Sequence, residues 1–226
     1  LDKEPPSYLV PEDYYKDETH IQAVANRFYT ETLPSHGGQY GTFQSDANTD
    51  NQARGGSDGK YAVGSWKVAD NNGSYSWGGI YDINTQLLRC LDQYEKGAIA
   101  GNDVNIRHYI GELYFFRALR YFNMYQAIGD LPIVKEPLPD DEAVLVAASK
   151  RAPRNEVARF ILEDLDNALL YMKENFESRH TRISTDVVHL LKSRVALFEG
   201  SWLTNFANTP FVPQGEGWPG RQKDYN

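Results

Sequence analysis

Cysteine, methionine and metal-binding motifs are scarce in this sequence. It contains 1 cysteine and 2 methionines among 226 residues. A single cysteine excludes an internal disulfide and any zinc or iron–sulfur site that needs several thiolates. The 5 histidines are scattered and form no His-Glu-x-x-His motif, so we expect no metal site built on histidines and no metal-dependent catalysis. Cys90 lies beside leucines in a helical pattern, which predicts a free, buried thiol.

Motifs for cofactors and nucleophilic catalysis are also missing. Gly215-x-Gly217-x-x-Gly220 matches the dinucleotide fingerprint formally, but no buried strand precedes it and prolines surround it. We therefore expect no cofactor. The acidic residues in each of the clusters Asp140–Glu142 and Glu163–Asp164 are adjacent in the sequence. A glycosidase instead needs two carboxyls that face each other across a sugar. We interpret them as a solvated loop and a solvated helix face.

Basic residues and long apolar runs are few. Lys and Arg number 23 against 31 Asp and Glu, which gives a formal net charge of −8. An acidic chain without a basic run repels phosphate backbones, so nucleic acid is not expected as a partner. No apolar run approaches the roughly 20 residues that span a bilayer.

Aromatic residues, by contrast, are abundant. They make up 13% of the chain, with 15 tyrosines and 4 tryptophans. Tyr and Trp offer flat apolar faces with one polar atom, which suits both stacking on sugar rings and packing between helices. Composition alone leaves these two uses open.

Apolar residues at helical spacing predict five amphipathic helices. We expect them to begin, in order, at or just after Asp17, Ser76, Asp103, Pro153 and Ser184. Asp17, Asp103 and Ser184 are the predicted N-caps. Strand is expected only as short pairings, with Leu131–Val134 as a candidate.

A polar, glycine-rich stretch from Ser35 to Ser74 separates the first two helices. Such long connections inside compact domains usually shape a functional surface or are disordered. Asp46-x-Asn48-x-Asp50 within it resembles the start of a calcium loop, but the glycine and glutamate of an EF-hand are absent. A looser calcium site stays open.

The third predicted helix carries the most informative segment. It reads Gly-Glu-Leu-Tyr-Phe-Phe-Arg-Ala-Leu-Arg-Tyr-Phe from Gly111 and continues to Gly-Asp-Leu-Pro-Ile-Val at Gly129–Val134. Gly129 can take the left-handed conformation that closes a helix, and Pro132 prevents its resumption. This pattern resembles the signature of the SusD/RagB family. Phe160–Ala168 and Leu191–Glu199 resemble two further helices of the same family, in the correct order.

The resemblance implies an all-α fold of tetratricopeptide-like helix pairs with long irregular loops. It covers residues 1–226 as the N-terminal part of a single SusD-like domain that continues beyond residue 226. Leu1-Asp2…Pro5 resembles the start of a mature lipoprotein of the family, which implies an anchoring cysteine upstream of residue 1. Glu112 and Arg117 match the family signature, and we interpret both as scaffold residues, with the Arg117 guanidinium held by carbonyls or a carboxylate inside the bundle.

By the same resemblance, the protein is a lipid-anchored, surface-exposed protein of the outer membrane of Bacteroidetes. It would bind oligosaccharide for nutrient uptake and polysaccharide utilisation, and deliver it to a SusC-like TonB-dependent transporter, without being an enzyme. A peptide-binding RagB-type import protein is the alternative, followed by a helical carbohydrate-active enzyme.

The predicted ligand-binding residues combine aromatic faces with polar partners for sugar hydroxyls. They are Asn51, Arg54, Trp66, Tyr75 and Trp77. Trp77 stands at a helix start, where packing against the core is an equally good interpretation.

Overall fold

The computed structural model describes residues 14–34, 75–174, 176 and 181–212. These residues form six helices: α1 Glu18–Thr32, α2 Trp77–Glu95, α3 Asp103–Ile128, α4 Glu142–Ala148, α5 Arg154–Tyr171 and α6 Thr185–Asn205. Within the described ranges, β pairing is limited to isolated bridges, such as the one between Leu131 and Ala152. The predicted all-α fold is confirmed. None of the helices described is both long and apolar enough to cross a lipid bilayer.

The predicted helix starts are largely correct because capping side chains set them. The Asp17 carboxylate accepts a hydrogen bond from the Thr19 amide at 2.8 Å, and the Ser184 hydroxyl accepts one from the Val187 amide. The prediction that Asp103 caps α3 is wrong. Asn102 is the N-cap and accepts from the amide of Val104 at 2.9 Å. Asp103 is the first helical residue, where its negative charge still favours the helix N-terminus.

The end of α3 follows the prediction, whereas the next helix was missed. Gly129 closes α3 at φ +86°, a conformation that L side chains rarely adopt. Asp140–Glu142, interpreted as a solvated loop, instead leads into α4. The Asp141 carboxylate caps this helix through the Val144 amide at 3.0 Å. No residue of α4 is buried, and its apolar residues form one unbroken run, 143–148, without the helical period that indicates an amphipathic helix in a sequence.

Helix α3 is the centre of the bundle. It packs against α1, α2 and α5, while α6 packs mainly on α5. Its rings of Phe116, Tyr121 and Tyr125 are almost completely buried. At Gly111 the helices come so close that an added Cβ would lie 2.9 Å from the carbonyl oxygen of Ala168. The glycine of the family signature therefore permits a close crossing of α3 and α5.

Cys90 is fully buried in α2, as predicted. Burial raises the pKa of its thiol to about 12, far above the roughly 8.5 of an exposed cysteine. We expect Cys90 in the native protein to resist alkylation by iodoacetamide at pH 8 and to react fully in urea. Mass spectrometry after timed quenching measures both rates. If Cys90 in the native protein were labelled completely as fast as in the urea-unfolded protein, the result would contradict its burial.

A buried ion pair ties α3 to α5. The Arg117 guanidinium donates to both carboxylate oxygens of Asp164, at 2.8 and 2.7 Å. It also donates to Asn84 Oδ1 at 3.0 Å and to the Lys135 carbonyl at 3.1 Å. The scaffold role predicted for Arg117 is confirmed. The interpretation of Glu163–Asp164 as a solvated face is wrong for Asp164, which is only 1% exposed because Arg117 provides its partner.

Two further buried carboxylates join helices. Glu112 of α3 accepts from Tyr29 Oη at 2.7 Å and from Arg182 Nε at 2.9 Å, which confirms its scaffold role. Glu199 of α6 accepts from Arg154 Nε of α5 at 2.9 Å. Each pair connects segments distant in sequence, so charged groups fix the register of the bundle alongside its apolar core.

Some predicted features lie outside the described residues. They are the lipoprotein-like start Leu1–Pro5, the candidate calcium sequence Asp46–Asp50, the formal dinucleotide motif Gly215–Gly220 and the stretch between Ser35 and Ser74.

Candidate functional site

Two stacked aromatic side chains mark the N-terminal end of α2. The rings of Tyr75 and Trp77 have centroids 6.1 Å apart and planes 20° from parallel. Trp77 also meets the buried ring of Tyr121 edge-on at 6.5 Å. The Arg151 guanidinium lies 5.8 Å from the centre of the Tyr75 ring. The core therefore supports Trp77, and Trp77 in turn supports the half-buried Tyr75.

An apolar cavity of about 290 Å³ opens on one side of this first turn of α2. Its walls come from α2, from the extended segment after α3 and from α4. The principal lining residues are Trp77, Ile80, Tyr81, Pro132, Val134 and Leu145. Tyr81 is 55% exposed, so a second aromatic face is accessible one helical turn after Trp77. The volume is at the lower end of the range for small-molecule sites.

A polar cleft of about 480 Å³ lies on the other side of the same turn. The Arg120 guanidinium crosses it and donates to the Gly79 carbonyl at 2.6 Å and to Thr32 Oγ1 at 3.0 Å. It also donates to the Glu31 carboxylate at 3.1 Å. The side chains of Ser76 and Asn123 line the cleft and are exposed. Hydroxyl, amide and guanidinium groups thus stand within one turn of an aromatic stack.

This arrangement suits recognition of a sugar more than covalent chemistry. A pyranose ring presents an apolar C–H face to an aromatic plane, and its hydroxyls require donors and acceptors beside that plane. Tyr75 and Trp77 offer such a plane, and Ser76 between them lines the polar cleft. Within the described part of the chain, no three His, Cys, Asp or Glu side chains are grouped to hold a metal ion.

The five predicted site residues divide into two groups. Tyr75 and Trp77 lie together in the described structure. Asn51, Arg54 and Trp66 lie outside the described residues. The ring of Trp77 contacts the core through Tyr121 and also lines the apolar cavity, and its role in ligand binding stays a prediction.

Sequence reasoning missed three residues of this end of the bundle. Arg120 belongs to α3 and Arg151 precedes α5, so only the packing of these helices brings them to α2. Tyr81 was not predicted as a site residue. Its spacing of four residues from Trp77 is the one signal that could have placed both rings on the same face.

Comparison with known proteins identifies the family. The family model SusD-like_3, described as "Starch-binding associating with outer membrane", matches residues 1–197. A curated relative, SusD-like protein P2 of Formosa agariphila, is 26% identical over 186 residues. That match covers 79% of this chain and 36% of the relative, so the chain spans little more than a third of the relative's length.

Solved structures share the fold. A laminarin-binding SusD-like protein superposes with a TM-score of 0.62 at 21% identity, over 87% of this chain and 46% of its own. Surface glycan-binding protein A from Bacteroides fluxus gives a TM-score of 0.57 at 20% identity, over 84% of this chain and 42% of its own. The tetratricopeptide-like helical fold predicted from the resemblance is thereby confirmed. Because the family model matches far more than half of its residues, this chain belongs to the SusD-like family.

Proposed function

We propose that this chain is the N-terminal part of a SusD-like domain that binds oligosaccharide at the cell surface without catalysis. The full protein would be anchored by lipid to the outer membrane and would deliver the sugar to a SusC-like TonB-dependent transporter. Family membership supports this proposal, since the family description names starch binding and association with the outer membrane. The fold neighbours include a laminarin-binding protein and a surface glycan-binding protein.

The stacked pair of Tyr75 and Trp77 is the observation that carries the proposal. An aromatic plane held rigid by the core loses little conformational freedom when a ligand stacks on it, so more of the contact energy appears as affinity. Tyr75 contributes this plane, and the next residue, Ser76, lines the cleft that Arg120 crosses. Asn51, Arg54 and Trp66, from the stretch that ends just before Tyr75, complete the proposed set of ligand contacts.

We expect Tyr75→Ala to weaken glycan binding by the full protein. The loss of one stacked ring corresponds to about 1–3 kcal/mol, or roughly 5- to 150-fold in Kd. Calorimetric titration with laminarin, starch and other polysaccharides identifies the glycan bound by the parent protein, and the same titration is then repeated with the variant. Trp77→Ala is less informative because it also removes the contact with Tyr121.

Tyr94→Ala is the matched control for this experiment. Tyr94 is a partly buried tyrosine near the other end of the same helix, where its hydroxyl donates to Asp103. Its removal should leave the affinity for glycan unchanged. Equal affinities of the Tyr75→Ala variant and the parent would place the ligand elsewhere. Release of reducing sugar by the pure protein would favour the enzyme alternative, and binding of peptides in place of glycans would favour the RagB type.

Delivery to a transporter requires its own measurement. Purification of the tagged protein from outer membranes in mild detergent should retain a TonB-dependent transporter in near-equal amount. The Tyr75→Ala variant should retain it equally well, because the proposal assigns that residue to ligand binding. A protein that binds glycan but copurifies with no transporter would contradict the delivery step alone.

A further inference from the structure

Arg151 is an exposed cation beside the stacked pair of Tyr75 and Trp77. Its guanidinium lies 5.8 Å from the centre of the Tyr75 ring, within the distance at which a cation and an aromatic face attract each other. Trp77 supports the Tyr75 ring and is itself supported by the buried ring of Tyr121. The positive charge therefore lies next to the aromatic plane that is proposed to stack on sugar.

The guanidinium of Arg151 makes no ion pair and no hydrogen bond with any of the described residues; its one contact among them is the Tyr75 ring. By contrast, a carboxylate pairs with each of Arg117, Arg120 and Arg154. The chain has 31 Asp and Glu for 23 Lys and Arg, so carboxylates are not in short supply. As far as the described residues go, the N–H donors of Arg151 are left for a ligand.

A guanidinium with unused donors favours an anion over a neutral hydroxyl. Its planar fork matches two oxygens of a carboxylate or of a sulfate ester, and hydrogen bonds to a charged acceptor are about twice as strong as neutral ones. Arg120, in the polar cleft, is already engaged. It donates to Glu31, to Thr32 and to the Gly79 carbonyl. Of these two guanidinium groups, that of Arg151 is the one left to bind an anionic ligand group.

A carboxylate in the wall of the apolar cavity restricts where the anion can lie. Glu136 is exposed and lines this cavity together with Trp77 and Ser149. Like charges repel, so the cavity disfavours a ligand anion. Tyr75, the ring that Arg151 contacts, is not among the residues that line the cavity. The anionic group is therefore expected at Tyr75 and Arg151 and not inside the cavity.

On the basis of the proposed function, we infer that the ligand is an acidic oligosaccharide, with uronic carboxylates or sulfate esters. Arg151 binds the charged group while a sugar ring stacks on Tyr75. The chain as a whole has a formal net charge of −8 and repels polyanions at long range. Attraction of the anion is therefore local to Arg151, and its removal should have an effect that other exposed cations do not reproduce.

Matched pairs of polysaccharides separate the effect of charge from that of sugar shape. Polygalacturonate is compared with its methyl-esterified form, and sulfated laminarin with laminarin, by calorimetric titration of the full-length protein. The charged member of at least one pair should bind about 10-fold more tightly than its neutral partner. The pair that shows this preference identifies the anion as carboxylate or sulfate. The preference should shrink as NaCl rises from about 0.01 M to about 1 M, because salt screens the charges.

Arg151→Ala should raise the Kd for the charged glycan about 10-fold and remove most of its dependence on NaCl. Arg151→Lys keeps the charge without the planar fork, so it should recover only part of the affinity. Arg194→Ala is the matched control. Arg194 is also exposed and lies 5.9 Å from the centre of a ring, but that ring belongs to the buried Phe122. Its removal should leave the Kd for the charged glycan unchanged.

Tighter binding of the neutral member in both pairs would overturn the acidic ligand and leave glycan binding intact. An Arg151→Ala variant with the affinity of the Arg194→Ala variant for the charged glycan would overturn the role of Arg151. Binding of acidic peptides in place of acidic glycans would overturn the ligand class in favour of the RagB type. Failure to bind any charged or neutral polysaccharide would instead contradict the proposed function itself.

Discussion

Arg117→Ala should lower the free energy of unfolding by about 3–5 kcal/mol, the range for removing one partner of a buried ion pair. The variant leaves the Asp164 carboxylate, 1% exposed, without its cation. Asn84 Oδ1 and the Lys135 carbonyl also lose a donor. Urea denaturation followed by helical circular dichroism measures the loss by linear extrapolation. Glycan affinity of the variant that remains folded should be unchanged, because Arg117 lies in the scaffold.

Two controls separate the buried pair from general effects of charge. Glu163 is the neighbour of Asp164 on α5, but it pairs with Lys135 at the surface, where both side chains are more than half exposed. Glu163→Ala should therefore cost less than about 1 kcal/mol. Arg117→Met combined with Asp164→Leu removes both charges and should cost less than Arg117→Ala alone. A single Arg117→Ala variant as stable as the Glu163→Ala variant would contradict the inferred role.

Glu163 and Asp164 differ in burial, and this difference was not predicted from the sequence. Both are carboxylates on one helix turn, and the sequence alone led to the same solvated interpretation for both. Burial of Asp164 depends on Arg117, which is 47 positions away in the chain. Helical spacing from Ile161 and Ala168 places position 164 on the buried face of α5, but only the packing of α3 on α5 provides the cation that allows a carboxylate to be buried there.

Local signals predicted the helices well because their physical causes are local. Asp17 and Ser184 bond to amides two or three residues ahead, and Gly129 adopts a backbone conformation that most residues avoid. Helix α4 was missed since its apolar residues form one unbroken run without a helical period. Asp103 was assigned as a cap although Asn102, one position earlier, makes that bond. Such one-residue shifts are expected where two capping residues are adjacent.

The candidate site was predictable only in part. The aromatic residues Tyr75 and Trp77 stood out by their chemistry and their position at a helix start. The polar cleft beside them depends on Arg120, which reaches the Gly79 carbonyl across 41 positions of the chain. A candidate site built from several helices becomes visible only after they are packed, and the ligand-binding roles of all five predicted residues stay predictions.

Glu112→Ala should lower the free energy of unfolding by about 3 kcal/mol and weaken the hydrogen bonds of the segment that leads into α6. The Glu112 carboxylate is fully buried and accepts from Tyr29 of α1 and from Arg182, which precedes α6. Burial raises the pKa of the Tyr29 phenol well above its usual value, so the hydroxyl stays protonated and donates. The same hydroxyl accepts from the Ile183 amide at 2.7 Å. Loss of the carboxylate therefore weakens a chain of bonds that runs from α1 through α3 to α6.

Hydrogen exchange can distinguish this network from simple loss of packing. In the Glu112→Ala variant, the Ile183 amide should exchange much faster than in the parent, while the amides in the middle of α5 change only with global stability. Glu112→Gln keeps an acceptor for Tyr29 but loses the charge that pairs with Arg182, so it should fall between the parent and the alanine variant in both measurements. Tyr29→Phe retains the ring and removes only the hydroxyl, and it should reproduce the faster exchange at Ile183 with a smaller loss of stability. Unchanged exchange at Ile183 in all three variants would show that the carboxylate does not order the segment leading into α6.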